Sequence, residues 1–81
     1  MKLYLFGAEW CPACSAMEPI AEKVCKEMDA NYEKIDVGAE PDKATRARVM
    51  SLPTFIITRE GEEIARHVGT APESWLRDML K

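Results

Sequence analysis

Apolar positions along this chain follow two rhythms, and the places where the rhythm changes mark its elements. Lys2 to Phe6 alternates and is rich in Leu, Tyr and Phe, which predicts a strand buried on at least one side and ended by Gly7. Gly7-Ala8-Glu9-Trp10 is a short connection into a helix that starts near Cys11 or Pro12, since proline is well tolerated in a first turn. Cys14, Met17, Ala21, Val24, Cys25 and Met28 then recur at steps of three, four, three, one and three. They form one stripe, so this helix packs its length against a sheet, while Glu18, Glu22, Lys23, Lys26 and Glu27 form its solvated side. Pro19 lies inside the helix, where it removes a hydrogen bond and predicts a kink.

Tyr32 to Val37 reads as a second strand. The 17 residues from Ala13 to Asp29 supply the helical crossover that two parallel strands require, giving a βαβ unit. Gly38 to Val49 is polar and alanine-bearing, with Pro41 as a first-turn residue, and predicts a shorter second helix. Met50-Ser51-Leu52 connects it to Pro53, which opens the strongly β-prone run Thr54 to Thr58. Gly61 marks a tight turn into Glu63 to Val68, so these two strands pair as an antiparallel hairpin. Thr70-Ala71-Pro72-Glu73 has the spacing of a capping box before a last helix that buries Trp75, Leu76, Met79 and Leu80. The predicted order is βαβαββα: an α/β fold, a four-stranded mixed sheet flanked by three helices, with residues 1–81 forming one domain.

Composition narrows the function classes. A chain of 81 residues with 47% apolar and 31% charged residues has the balance of a soluble globular domain. No stretch approaches the roughly 20 apolar residues of a membrane span, and the short opening run before Glu9 does not resemble a secretion signal. A formal charge of -3 without a basic cluster excludes a nucleic-acid footprint. Three cysteines cannot all pair within one chain, which favours a reducing compartment, and a cytoplasmic location is expected.

The chemistry is concentrated in Trp10-Cys11-Pro12-Ala13-Cys14, two thiols three positions apart at a helix start, the pattern of thiol-disulfide exchange. Cys11 lies at the helix edge, where first-turn N–H groups and the helix dipole stabilise a thiolate. It is therefore the expected nucleophile, with a pKa below the free value of about 8.5. Cys14 sits one turn further in, on the apolar stripe, and is the expected resolving thiol. Zinc would need two further ligands, and Cys25 and His67 stand at spacings unlike any common structural site, so no metal is expected. Trp10, beside the nucleophile, is expected on a docking surface. Cys25 follows Cys14 by eleven residues, about 16 Å along a helix axis, too far to bridge, and is expected as a buried core thiol. Asp36 reads as a strand terminator, and His67 as a lone residue on a strand face.

The element order, the Cys-x-x-Cys after the first strand and the proline opening the third strand together resemble the thioredoxin superfamily in its minimal, glutaredoxin-sized form. Ala8-Glu9-Trp10-Cys11 is similar to the family's approach to its active site, and Pro19 falls five positions after the second cysteine as it does there. Ser51-Leu52-Pro53-Thr54 resembles the family's cis-proline loop, while Gly61 and Val68-Gly69 match the hairpin turn and the loop before the last helix. The resemblance implies a cis bond before Pro53, a Leu52 backbone free to pair with an extended substrate segment, and Gly69 and Thr70 close to the same groove. With Trp10, Pro12 and Ala13 these residues make up the expected substrate-binding surface.

Three departures accompany the resemblance. Leu5 stands where thioredoxins usually carry a buried acid, Pro12-Ala13 is the pair of neither thioredoxins nor glutaredoxins, and no counterpart of the first strand and helix of a full-length thioredoxin is present. The resemblance implies an electron carrier without cofactor beyond the redox-active disulfide Cys11-Cys14, monomeric, reducing protein disulfides and recharged by a thioredoxin-reductase-like partner. Two alternatives accompany it: a glutaredoxin using glutathione, and a non-catalytic binding module built on the same fold.

Overall fold

The computed structural model describes all residues from Met1 to Lys81. Strand β1 (Lys2–Gly7) runs into helix α1 (Pro12–Glu27) and strand β2 (Asn31–Asp36). Helix α2 (Pro41–Arg46), strands β3 (Thr54–Arg59) and β4 (Glu62–Val68), and helix α3 (Glu73–Met79) complete the chain. This is the βαβαββα order read from the sequence.

The sheet order is β2-β1-β3-β4. β1 lies parallel to β2, with Leu5 opposite Lys34, and antiparallel to β3, with Leu5 opposite Phe55. β3 and β4 form the antiparallel hairpin expected around Gly61, whose φ of +83° is a conformation that costs glycine nothing.

Alternation along the strands divides the core in two. Leu3, Leu5, Phe55 and Ile57 point to the face covered by α1 and α3, where they pack with Met17, Ala21, Val24, Cys25, Leu76 and Leu80. Each such fully buried aliphatic or aromatic side chain contributes about 1.5–3 kcal/mol. Phe6, Ile35 and Ile56 point the other way, where Ala44, Ala47, Val49 and Leu52 of α2 and its connector pack on them together with Tyr4 and Val37.

Three expectations differ from the structure. Helix α2 holds only Pro41–Arg46 and not Gly38 to Val49. At its front, the Asp36 carboxylate accepts the N–H groups of Gly38 and Ala39 at 2.8 and 3.3 Å, which turns that segment before a helix can start. At its end, Arg48 adopts a left-handed φ of 57° and breaks the helix.

The capping box does not form: Pro72 is the N-cap of α3 and no side chain caps it. Ala71 is drawn into the core just ahead of the helix, so the chain enters α3 in an extended conformation and Thr70 lies two positions before the cap. Met79, expected inside, is 37% exposed, because Leu76 and Leu80 at i and i+4 take the inward face of so short a helix. No helix is long and apolar enough to cross a membrane.

Candidate functional site

The site forms where β1 hands over to α1. Cys11 is the N-cap of α1, and the N–H of Cys14 donates to its sulfur at 3.2 Å. A first-turn donor of the helix thus already faces the Cys11 sulfur, the arrangement that stabilises a thiolate. Cys11 and Cys14 are joined as a disulfide, with Cα atoms 5.3 Å apart. Cys14, only 1% exposed, packs with Cys11 and Ala8, and Ala13, Val37 and Leu52 close over this small cluster. Cys11 is itself largely buried, at 9% exposure, but it sits at the helix tip and lines a surface groove, which Cys14 does not.

That groove encloses about 540 Å³ between the helix tip, α2 and the connector after α2; Trp10, Cys11, Val37, Val49, Met50 and Leu52 are among its ten lining residues, none of which is charged. Trp10 is 73% exposed and Met50 92%, so two large apolar side chains stand open to solvent at its rim. The largest depression on the molecule, about 710 Å³ between the open sheet face and α2, contains neither cysteine and lies among the paired charges of Glu33 and Lys43.

The connector reaches the groove through the loop before β3. The Leu52-Pro53 bond is cis, and neither the N–H nor the C=O of Leu52 takes part in a hydrogen bond. Pro53 is buried, and its carbonyl accepts the N–H of Gly69 at 2.8 Å, which fixes the loop before α3 against it. Thr70 is exposed and comes directly after Gly69, but it does not line the groove. Pro12 is exposed in the first helical turn, while Ala13 is half-buried against the cysteines. Of the residues expected to bind substrate, Trp10 and Leu52 line the groove together with Cys11, whereas Pro12, Ala13, Pro53, Gly69 and Thr70 do not.

Four residues outside that set also shape the site. Gly7 ends β1 directly under Cys14, Val37 covers the disulfide, Met50 forms the rim, and the Thr54 hydroxyl ties the connector by donating to the Ser51 carbonyl at 2.6 Å.

Leu5 is fully buried in the main core and brings no carboxylate to the sulfurs. Its register partner Lys34 pairs instead with Glu18, one turn after Cys14 on α1, at 3.1 Å. Cys25 is buried as expected, and burial pushes its thiol up to about 11, so it stays protonated and unreactive at neutral pH. The His67 ring meets Trp75 edge-on at 5.0 Å, with a buried Nδ1 that has no partner. No group of three or more His, Cys, Asp or Glu side chains stands close enough to hold a metal ion.

Comparison with known proteins agrees with this geometry. The thioredoxin family model matches residues 2–81. The thioredoxin of Staphylococcus haemolyticus is 35% identical over 82 residues, covering 99% of this chain and 79% of the relative, and that of Staphylococcus aureus is 32% identical over the same span. Among solved structures, thioredoxin 1 of Thermosipho africanus superposes with a TM-score of 0.92 at 30% identity, covering 99% of this chain and 90% of that one. A mutant thioredoxin of Halobacterium salinarum gives the same TM-score at 33% identity, with 98% and 70% covered. With a helix-capping Cys-x-x-Cys, a matching fold and relatives of this identity along its length, the chain belongs to the thioredoxin family and is a thiol-disulfide oxidoreductase.

Proposed function

We propose that the protein reduces disulfides in protein substrates, with Cys11 as the attacking thiolate and Cys14 as the resolving thiol. The observation that carries this is the unequal setting of the two sulfurs: the Cys11 sulfur accepts a first-turn N–H at the edge of an uncharged groove, while Cys14 is buried behind it. In the reduced protein the Cys11 thiolate attacks one sulfur of a substrate disulfide. A mixed disulfide forms, and the first substrate thiolate leaves and takes a proton. Cys14 then loses its proton and attacks the Cys11 sulfur, the second substrate thiolate departs, and the Cys11-Cys14 disulfide remains. Two electrons pass to the substrate in the process. The short reach between the sulfurs makes the second attack intramolecular.

Substrate docks on the groove of Trp10, Val37, Met50 and Leu52, in contact with Pro12 and Ala13, and an extended segment pairs with the free backbone groups of Leu52. Gly69 supports that loop through Pro53, and Thr70 lies beside it. The uncharged lining favours a protein segment over glutathione, whose carboxylates find no cation there. The reading includes a monomer in the cytoplasm, recharged by a thioredoxin-reductase-like reductase.

Cys14→Ser is expected to accumulate a mixed disulfide with a protein substrate on Cys11, detected by mass spectrometry, whereas Cys11→Ser forms none. Trapping on Cys14 in the second variant, or in neither, would overturn the assignment. Faster turnover of the oxidised protein by glutathione with its reductase than by thioredoxin reductase would reverse the choice of reductant.

A further inference from the structure

We propose that Arg66, on the strand farthest from the dithiol in the sheet order, is a positioning residue that latches the docking loop in place. The inference rests on the groove being the docking face, and it starts from an irregularity in β4. Ile57 pairs with Ala65, but Thr58 pairs with Glu63, so one extra residue, Ile64, is accommodated as a bulge. In a regular strand, residues three apart face opposite sides of the sheet. The bulge cancels one step and turns Glu63 and Arg66 to the same side, the side of their pairing partners Thr58 and Ile56, where α2 lies.

The consequence is a guanidinium held and aimed. Arg66 Nε donates to Glu63 Oε2 at 2.9 Å and Nη2 to Oε1 at 2.8 Å, a bidentate pair. The same group reaches off the strand to the end of α2, where Nη2 donates to the Ala47 carbonyl at 2.6 Å and Nη1 to the Arg48 carbonyl at 3.2 Å. Ala47 is the C-cap of α2, one of the carbonyls that a helix end leaves without an intrahelical donor, and Arg48 follows it. Four of the five N–H donors of a guanidinium are thereby used.

Immediately beyond Arg48 the chain becomes the rim of the groove. The connector is tied at its start by Arg66 and by the Val49 N–H on the Ala44 carbonyl, and at its end by Thr54 on the Ser51 carbonyl. Met50, Ser51 and Leu52 are displayed between these ties, and all three line the groove. Without the latch the loop would have to be ordered at each docking event, a cost that falls on substrate affinity and leaves the chemistry at the sulfurs unchanged.

The test compares wild type with Arg66→Ala, Arg66→Lys and, as a control for the groove, Met50→Asp. Arg66→Ala is expected to raise KM for a disulfide-bonded protein substrate about three- to tenfold, the factor that ordering one or two groups costs a binding step. The same variant keeps kcat, the reduction potential and the rate with a small aromatic disulfide, and hydrogen exchange quickens at the amides of residues 47–52. Arg66→Lys, with one compact ammonium for the planar fork, gives an intermediate KM. An unchanged KM and unchanged exchange in Arg66→Ala, with KM raised in Met50→Asp, would overturn the latch and leave the docking face standing. If neither variant altered KM, the docking face itself would fall and the latch with it.

Discussion

A Cβ built on Gly7 would lie 2.9 Å from the Cβ of Cys14 and 3.2 Å from its sulfur. The obstruction is the first carbon of a helical side chain and cannot swing aside, so either β1 or the first turn of α1 must shift. Gly7→Ala is expected to destabilise the protein by about 1–3 kcal/mol, the usual cost of overpacking, and to slow resolution by displacing Cys14 from Cys11. Urea denaturation and the decay of a preformed mixed disulfide measure the two effects, and a variant within about 0.5 kcal/mol of wild type would show that the backbone has slack there. The contrast with the cysteines explains what a sequence displays at this scale. Cys11 and Cys14 announce themselves because their chemistry depends on a spacing of three. The need for glycine at position 7 depends on which side chain the helix sets above it, and in the sequence Gly7 was only the end of a strand.

Elements were legible where burial imposes a period and less so where short polar contacts decide. The stripe on α1 is buried from Cys14 through Cys25, and the alternation of Leu3 and Leu5 against Tyr4 and Phe6 assigns the two faces of β1 correctly. The ends of α2 and the start of α3 were misplaced, because an Asp36 carboxylate, a left-handed Arg48 and a buried Ala71 set them, and none of these has a periodic signature. The α3 boundary yields a direct check. An N-cap threonine replaced by alanine ordinarily costs about 1 kcal/mol. The Thr70 hydroxyl makes no hydrogen bond and Pro72 occupies the cap, so Thr70→Ala is expected to leave stability within about 0.5 kcal/mol in thermal denaturation. A loss of about 1 kcal/mol or more would mean that the threonine caps the helix after all.

The two faces of the sheet are unequally covered, and this asymmetry governs how the whole molecule opens. Eleven buried residues link β1, β3, α1 and α3 into one cluster, whereas the opposite face has three, under a six-residue helix that buries none of its own residues. Local opening tracks buried apolar contact, so α2 is held less firmly than β1, β3 and α1. Hydrogen exchange of the oxidised protein is expected to be slowest in β1, β3 and the middle of α1. In α2 it should be faster by a factor on the order of 100 or more. Equal protection of α2 and β1 would show that the molecule opens only as a whole. The expected difference bears on the reaction, because Pro41, Ala44 and Thr45 of α2 form one wall of the groove beside Cys11. That wall belongs to the weakly held layer, whereas Cys14 sits at the head of the buried stripe of α1 that continues into the main core, so the wall can adjust to different protein segments while α1 stays in place.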